Sequence, residues 1–358
     1  MPRLLPLIVI AIAVYFWVKN RRGTGSRATA PATADPVTDT RAVELGFLPK
    51  EAVDGKLAGP RAPELTTALE TARTGGWEPA AALLAATGKD WQRRSQYVAA
   101  LGRVAADEDP WLLTWEKARP DDPDAAAVRA ESTVTLAGQV RGAARAKDTT
   151  QEQFDGFHRL MFQARADVAR AAESAPDDDP TPAIIDIWVG IALGRPHDEM
   201  RALFARITAR APYHYEAHYH ALQYWCQKWR GSVQLATDFA AHAAASAPLG
   251  SLFHAFPLIC YYEHEAFGHT SRGFNTPEVS TLVDALAADV ATADPDHPRL
   301  REVRLLLTWY LVRLKRYPEA LQQFRVVDGY AGAFPWFYFP DPVEKYVAAR
   351  ELTVRKAG

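Results

Sequence analysis

APYHYEAHYHALQYWCQKWRGSVQLATDFAAHAAASAP, residues 211–248, decides the fold class. Between two Ala-Pro pairs it holds two runs with apolar side chains at three- and four-residue spacing, separated by Arg230, Gly231 and Ser232. That spacing is the period of a helix with one buried face, so the stretch predicts a helical hairpin. The second run is rich in alanine, which lets its backbone approach the first helix closely. Proline then stops it by removing a backbone donor. Ala-Pro recurs at Pro176, Pro212 and Pro248, 36 residues apart each time, close to the length of a two-helix repeat.

The same pattern extends outward. From Ala62 to Thr292 apolar residues recur with helical spacing between short breaks of Pro, Gly and Asp, and no stretch alternates with the period of a strand. Thr276-Pro277-Glu278 supplies a cap, a first-turn proline and a first-turn acid, and Asp177 to Asp179 precede the apolar run Ile184 to Leu193. Connections this short make neighbouring helices antiparallel. The expected class is therefore all-α, a stack of antiparallel helix hairpins forming an α-solenoid. Near the C-terminus, GYAGAFPWFYFP, residues 329–340, has six aromatics in twelve positions. With a helix over Pro342 to Arg355 it is expected to cover the apolar end of the stack.

At the other end, Leu4 to Val18 reads LLPLIVIAIAVYFWV, fifteen residues without a charge, followed by Lys19, Arg21 and Arg22. As a helix it spans about 22 Å, short of a hydrocarbon core of about 30 Å. Tyr15, Phe16 and Trp17 suit the interface and the cations can snorkel, so the segment is expected to be a single transmembrane helix. A cleavable signal fits less well. Its candidate sites, Ala28-Thr29-Ala30 and Ala32-Thr33-Ala34, lie far beyond the apolar run and behind a basic cluster. The expected organisation is an anchor with a basic flank over 1–22, a flexible linker over 23–60 and a helical domain over 61–358. Positive charge behind the anchor places that domain in the cytoplasm, at the cell membrane.

Charge excludes other classes. Lys+Arg 41 against Asp+Glu 43 leaves a net charge of -2, with no cationic surplus for a dedicated nucleic-acid binder. Cys226 and Cys260, the only two cysteines, each lie in an apolar helical run and are expected to be buried thiols.

Leu307, Leu311, Tyr317, Ala320 and Phe324, with Ala236, Ala243 and Pro248, resemble the packing positions of the tetratricopeptide repeat. The fit is divergent: Thr308 and Leu222 stand where that motif has a glycine-like residue, and Phe239 is one place early. The stretch from Ala211 through SAPLGSLFHAFPLICYYEHEA is also similar to a group of helical-repeat proteins of actinobacteria, a likeness that implies no activity. The repeat resemblance implies a concave groove lined by first helices. Its groove positions fall on Glu216, Tyr219, Gln223 and Gln227 in one hairpin and on Glu302, Trp309 and Arg313 in another. Aromatic anchors among amides and charges suit an extended peptide or protein partner. No cofactor is implied.

The histidines are the residues that could carry enzymatic chemistry. His264-Glu265-Ala266-Phe267-Gly268-His269 differs from H-E-x-x-H by one residue. On a helix an offset of four sets side chains about 40° apart, and five about 140° apart, so these two histidines cannot share a metal. Glu265 and His269 are spaced to meet on a helix surface. His214 and His218 have metal-ligand spacing, but two imidazoles make half a zinc site. A metal-dependent or acid/base enzyme using His214, His218, Glu265 and His269 is the alternative function, and metal-free packing the expectation. Trp225, Lys228, Trp229 and Arg230 are expected to pack a tight turn that Gly231 permits. No GxSxG elbow, phosphate-cradling glycine loop or CxxC pair occurs.

Overall fold

The computed structural model describes residues 40–142, 149–270 and 272–357. Among them the chain is all-α: sixteen α-helices, two short 3-10 turns and no strand. The expected membrane helix, Leu4 to Val18, lies outside the described residues, and no helix within them is long and apolar enough to cross a membrane. Contacts divide the chain into two compact units, one over Arg61–Ala247 and one formed by the segment up to Pro60 together with Pro248 onward.

The first unit contains α2 (Pro63–Arg73), α3 (Glu78–Ala85), α4 (Trp91–Asp107), α5 (Pro110–Ala118), α6 (Pro123–Arg141), α7 (Gln151–Ser174), α8 (Thr181–Leu193), α9 (His197–Arg210), α10 (Tyr215–Trp225) and α11 (Val233–Ser246). Helix starts are set by local chemistry. The Asp90 carboxylate accepts from Arg93 N–H at the head of α4 and the Ser232 hydroxyl from Leu235 N–H at the head of α11. Thr150 and Gln153 form a reciprocal capping box on α7. The stops agree with the proline reading: α7, α9 and α11 end at Ser174, Arg210 and Ser246, one residue before an Ala-Pro pair. Alternate helices lie side by side, α4 on α6, α6 on α8 and α8 on α10, while α6 with α7, α8 with α9 and α10 with α11 form hairpins. Arg94 of α4, nearly buried, ties this layer together. Its guanidinium meets Asp124 at 2.6 Å at the start of α6 and Asp179 at 3.0 Å just ahead of α8.

The second unit contains α1 (Thr40–Glu44), α12 (Ala255–Ala266), α13 (Pro277–Thr292), α14 (Leu300–Arg313), α15 (Tyr317–Val327) and α16 (Pro342–Ala357). The Thr276 hydroxyl accepts from Val279 N–H, so the expected cap of α13 is present. The aromatic loop packs on α14, α15 and α16. Trp336 is 1% exposed, donates from Nε1 to the Leu305 carbonyl at 2.9 Å and packs on Phe324 and Tyr346.

Two expectations about organisation are corrected. The helical part divides into two units where a single domain over 61–358 was expected. The linker expected over 23–60 is too long, because residues 41–60 form a strap packed on the second unit. Ala42, Phe47 and Val53 are buried, Ala42 N–H donates to Glu351 and Leu48 N–H to Asp328, and Asp54 forms a backbone bridge with Tyr330. The segment looks linker-like because Gly46, Pro49, Gly55, Gly59 and Pro60 break any helical period. It is held by backbone hydrogen bonds, whose partners are remote in sequence.

Candidate functional site

The positions implied for a groove fall on one stripe of α10 and one of α14, because residues three, four and seven apart share a helix face. In the first unit that stripe is closed. Glu216 and Gln223 are 7% and 3% exposed. The Glu216 carboxylate lies 3.6 Å from His220 Nε2, and the His220 ring packs on Trp188 of α8 at 5.0 Å. Trp229 stands edge-on to Trp188 at 6.5 Å. Tyr219 is half-buried and Gln227, beyond the end of α10, is exposed. Of the four α10 positions, only Tyr219 and Gln227 reach solvent.

The turn after α10 explains the closure. Arg230 N–H donates to the Tyr224 carbonyl, Gly231 N–H to Cys226 and Ser232 N–H to Trp225, reversing the chain tightly enough to fold Trp229 onto the stripe. A Cβ on Gly231 would fall 1.7 Å from the Trp225 carbonyl oxygen, so no other residue fits. Lys228 and Trp229 are buried. The packing expectation for this group holds, and Trp188, which meets both His220 and Trp229, packs beside it. Only the dense aromatics of the sequence hinted at them.

In the second unit Trp309, 3% exposed, is a core residue. Phe274 and Tyr310 meet its ring edge-on at 4.9 Å and Tyr262 at 5.0 Å. The guanidinium of Arg313, itself exposed, lies 4.9 Å over it. Glu302 is half-exposed and paired with Arg299 at 2.9 Å. The expectation that Glu216, Gln223 and Trp309 line an open groove is therefore corrected. Glu216 and Gln223 are buried within the first unit, and Trp309 is enclosed within the second by Phe274, Tyr262 and Tyr310.

His214 and His218 hold the start of α10. His214 is the N-cap of α10: Nδ1 accepts from Ala217 N–H at 3.2 Å, which leaves the proton on Nε2, 3.0 Å from the Trp91 carbonyl and 3.1 Å from Ser95 Oγ. His218 donates from Nδ1 to the His214 carbonyl at 2.9 Å and packs against Phe204 and Phe239. Burial lowers its pKa to about 4, so the ring is neutral at physiological pH. The expected meeting of Glu265 with His269 is absent because α12 ends at Ala266 and the chain turns at Gly268, φ +73. Glu265 accepts instead from Thr270 Oγ1 at 2.6 Å, Gly273 N–H at 2.8 Å and Arg272 N–H at 3.1 Å. The Thr270 hydrogen bond, with those backbone donors, holds its pKa below the usual value. Among the described residues no group of three or more His, Cys, Asp and Glu stands close enough to hold a metal ion. Both cysteines are buried free thiols. No protein family, curated protein or solved structure matches this chain.

Proposed function

We propose that the chain is a membrane-anchored scaffold of tetratricopeptide-like helix hairpins that binds a protein or peptide partner and performs no catalysis. The observation that carries the reading is the side-by-side run of α4, α6, α8 and α10, each but the last joined to the next by an intervening helix. Such a layer of alternate helices presents one continuous face, the surface that solenoids use for extended ligands. With Glu216, Gln223 and Trp309 sealed, the partner-facing residues are Tyr219 and Gln227 in the first unit and Glu302 and Arg313 in the second. Each group is treated as a separate contact surface. The anchor is Leu4 to Val18, oriented with the helical part in the cytoplasm. Confinement near the bilayer raises the effective concentration of a membrane-associated partner without any new contact.

A photo-crosslinking residue at position 227 or 313, in native membranes, should give a discrete adduct that the same residue at Leu113 does not. No adduct from either position would refute the binding surfaces. Digestion of the helical part from the outer face of intact cells would reverse the orientation.

A further inference from the structure

The outer side of the strap is unlike the rest of the surface. Its inward groups are all engaged by the second unit. Phe47 lies between the guanidinium groups of Arg325 and Arg350, at 5.5 and 5.3 Å, and the Leu48 carbonyl accepts from Arg350 at 2.7 Å. Its exposed groups include three large apolar side chains. Val43, Leu45 and Leu48 are 40%, 47% and 45% exposed, and Val326, on the segment of α15 that Phe47 and Leu48 touch, is 47% exposed. Nine large apolar residues are this exposed among the described residues, and four of them belong to this one corner. Scattered exposed apolar residues are ordinary on a protein surface, whereas a cluster calls for a covering surface.

Chain order identifies the cover. Residues 19–40 separate Val18, the end of the apolar segment, from the strap. On the anchor reading, a flexible chain of this length would reach about 25 Å. On the same reading, the strap is the described segment of this unit that follows the lipid-borne residues most directly in sequence. Exposed Arg41 and Arg325 stand beside the apolar side chains, the arrangement of an interfacial element whose apolar groups enter the acyl boundary while cations meet headgroups. Glu44 and Glu51 on the same segment offset part of that charge, so apolar insertion carries the contact. We infer that the second unit rests on the bilayer through Val43, Leu45, Leu48 and Val326. This inference depends on the anchor reading of Leu4 to Val18.

The test uses the full chain in phospholipid nanodiscs, spin-labelled one position at a time through Ile10→Cys, Leu45→Cys, Leu48→Cys, Val326→Cys and Leu113→Cys. Cys226 and Cys260 are buried and do not compete for label. The ratio of oxygen to nickel-chelate accessibility should be severalfold higher at positions 10, 45, 48 and 326 than at 113. A lipid-like ratio at 10 with water-like ratios at 45, 48 and 326 overturns the inference and leaves the anchor standing. A water-like ratio at 10 overturns both. The pair Val43→Glu and Leu45→Glu should drop the ratio at 326 to that at 113 with thermal unfolding unchanged, and an undiminished ratio also overturns the inference.

Discussion

Trp309 and His218 show how single side chains acquire roles that their neighbours in sequence do not reveal. Trp309 is enclosed by Phe274, Tyr262 and Tyr310, so Trp309→Ala should destabilise the second unit by about 3–5 kcal/mol in denaturant titration. Half-buried Tyr219 should tolerate Ala with a smaller loss. His218 makes a pH prediction. Its folded pKa, lowered to about 4 by burial, lies below the unfolded value of 6.5, so the unfolded state binds more protons between those limits. Stability is fully present above pH 6.5, falls as the pH drops, and is about 3 kcal/mol lower by pH 4 on this account. Repulsion from His214 and His242 lowers the His218 pKa further. His218→Phe, which keeps the ring against Phe204 and Phe239, should flatten the acid limb of the first unit's stability profile. An unchanged slope would show that another group controls it.

At the scale of elements, helix positions were legible because they depend on groups a few residues apart. Thr276, Ser232 and the Ala-Pro pairs act where the sequence places them. What joins the helices was not legible. Arg94 is one arginine among many in the sequence, yet it spans the starts of α6 and α8 through Asp124 and Asp179, with 7% of its side chain exposed. Burial pushes the Asp124 pKa up, against the Arg94 charge that pulls it down. Arg94→Met leaves two carboxylates without their cation and should cost about 3–5 kcal/mol. Its neighbour Arg93, paired with Asp90 near the surface, should cost about 1 kcal/mol or less on truncation to Ala. Equal losses in urea unfolding would refute the distinction. The end of α12 is a similar case: helical spacing set Glu265 beside His269, but the turn at Gly268 hands the carboxylate to the following loop.

For the molecule as a whole, the strap is the main departure from the organisation expected of the sequence. Phe47 is 5% exposed between two guanidinium groups, so Phe47→Ala should destabilise the second unit by about 3–5 kcal/mol and speed hydrogen exchange in α16. In a solvated linker the same change would stay within about 0.5 kcal/mol. The near balance of charge, -2 overall, gives the long-range field little to steer with. The proposed partner contact therefore has to come from side chains such as Tyr219 and Arg313 at close range.

Helical class, the 36-residue spacing of the Ala-Pro pairs and the helix ends at Thr276 and at those pairs were determined by the sequence alone, since periodicity and capping act within one or two turns. The candidate groove was legible only as a stripe. Whether Trp309 meets solvent depended on Phe274 and Tyr262, which no spacing rule connects to it. The start of the folded part depended on partners more remote still: Ala42 N–H finds its acceptor on Glu351, 309 residues along the chain. Burial is a property of the assembled surface, and only tertiary structure brings together the groups that close it.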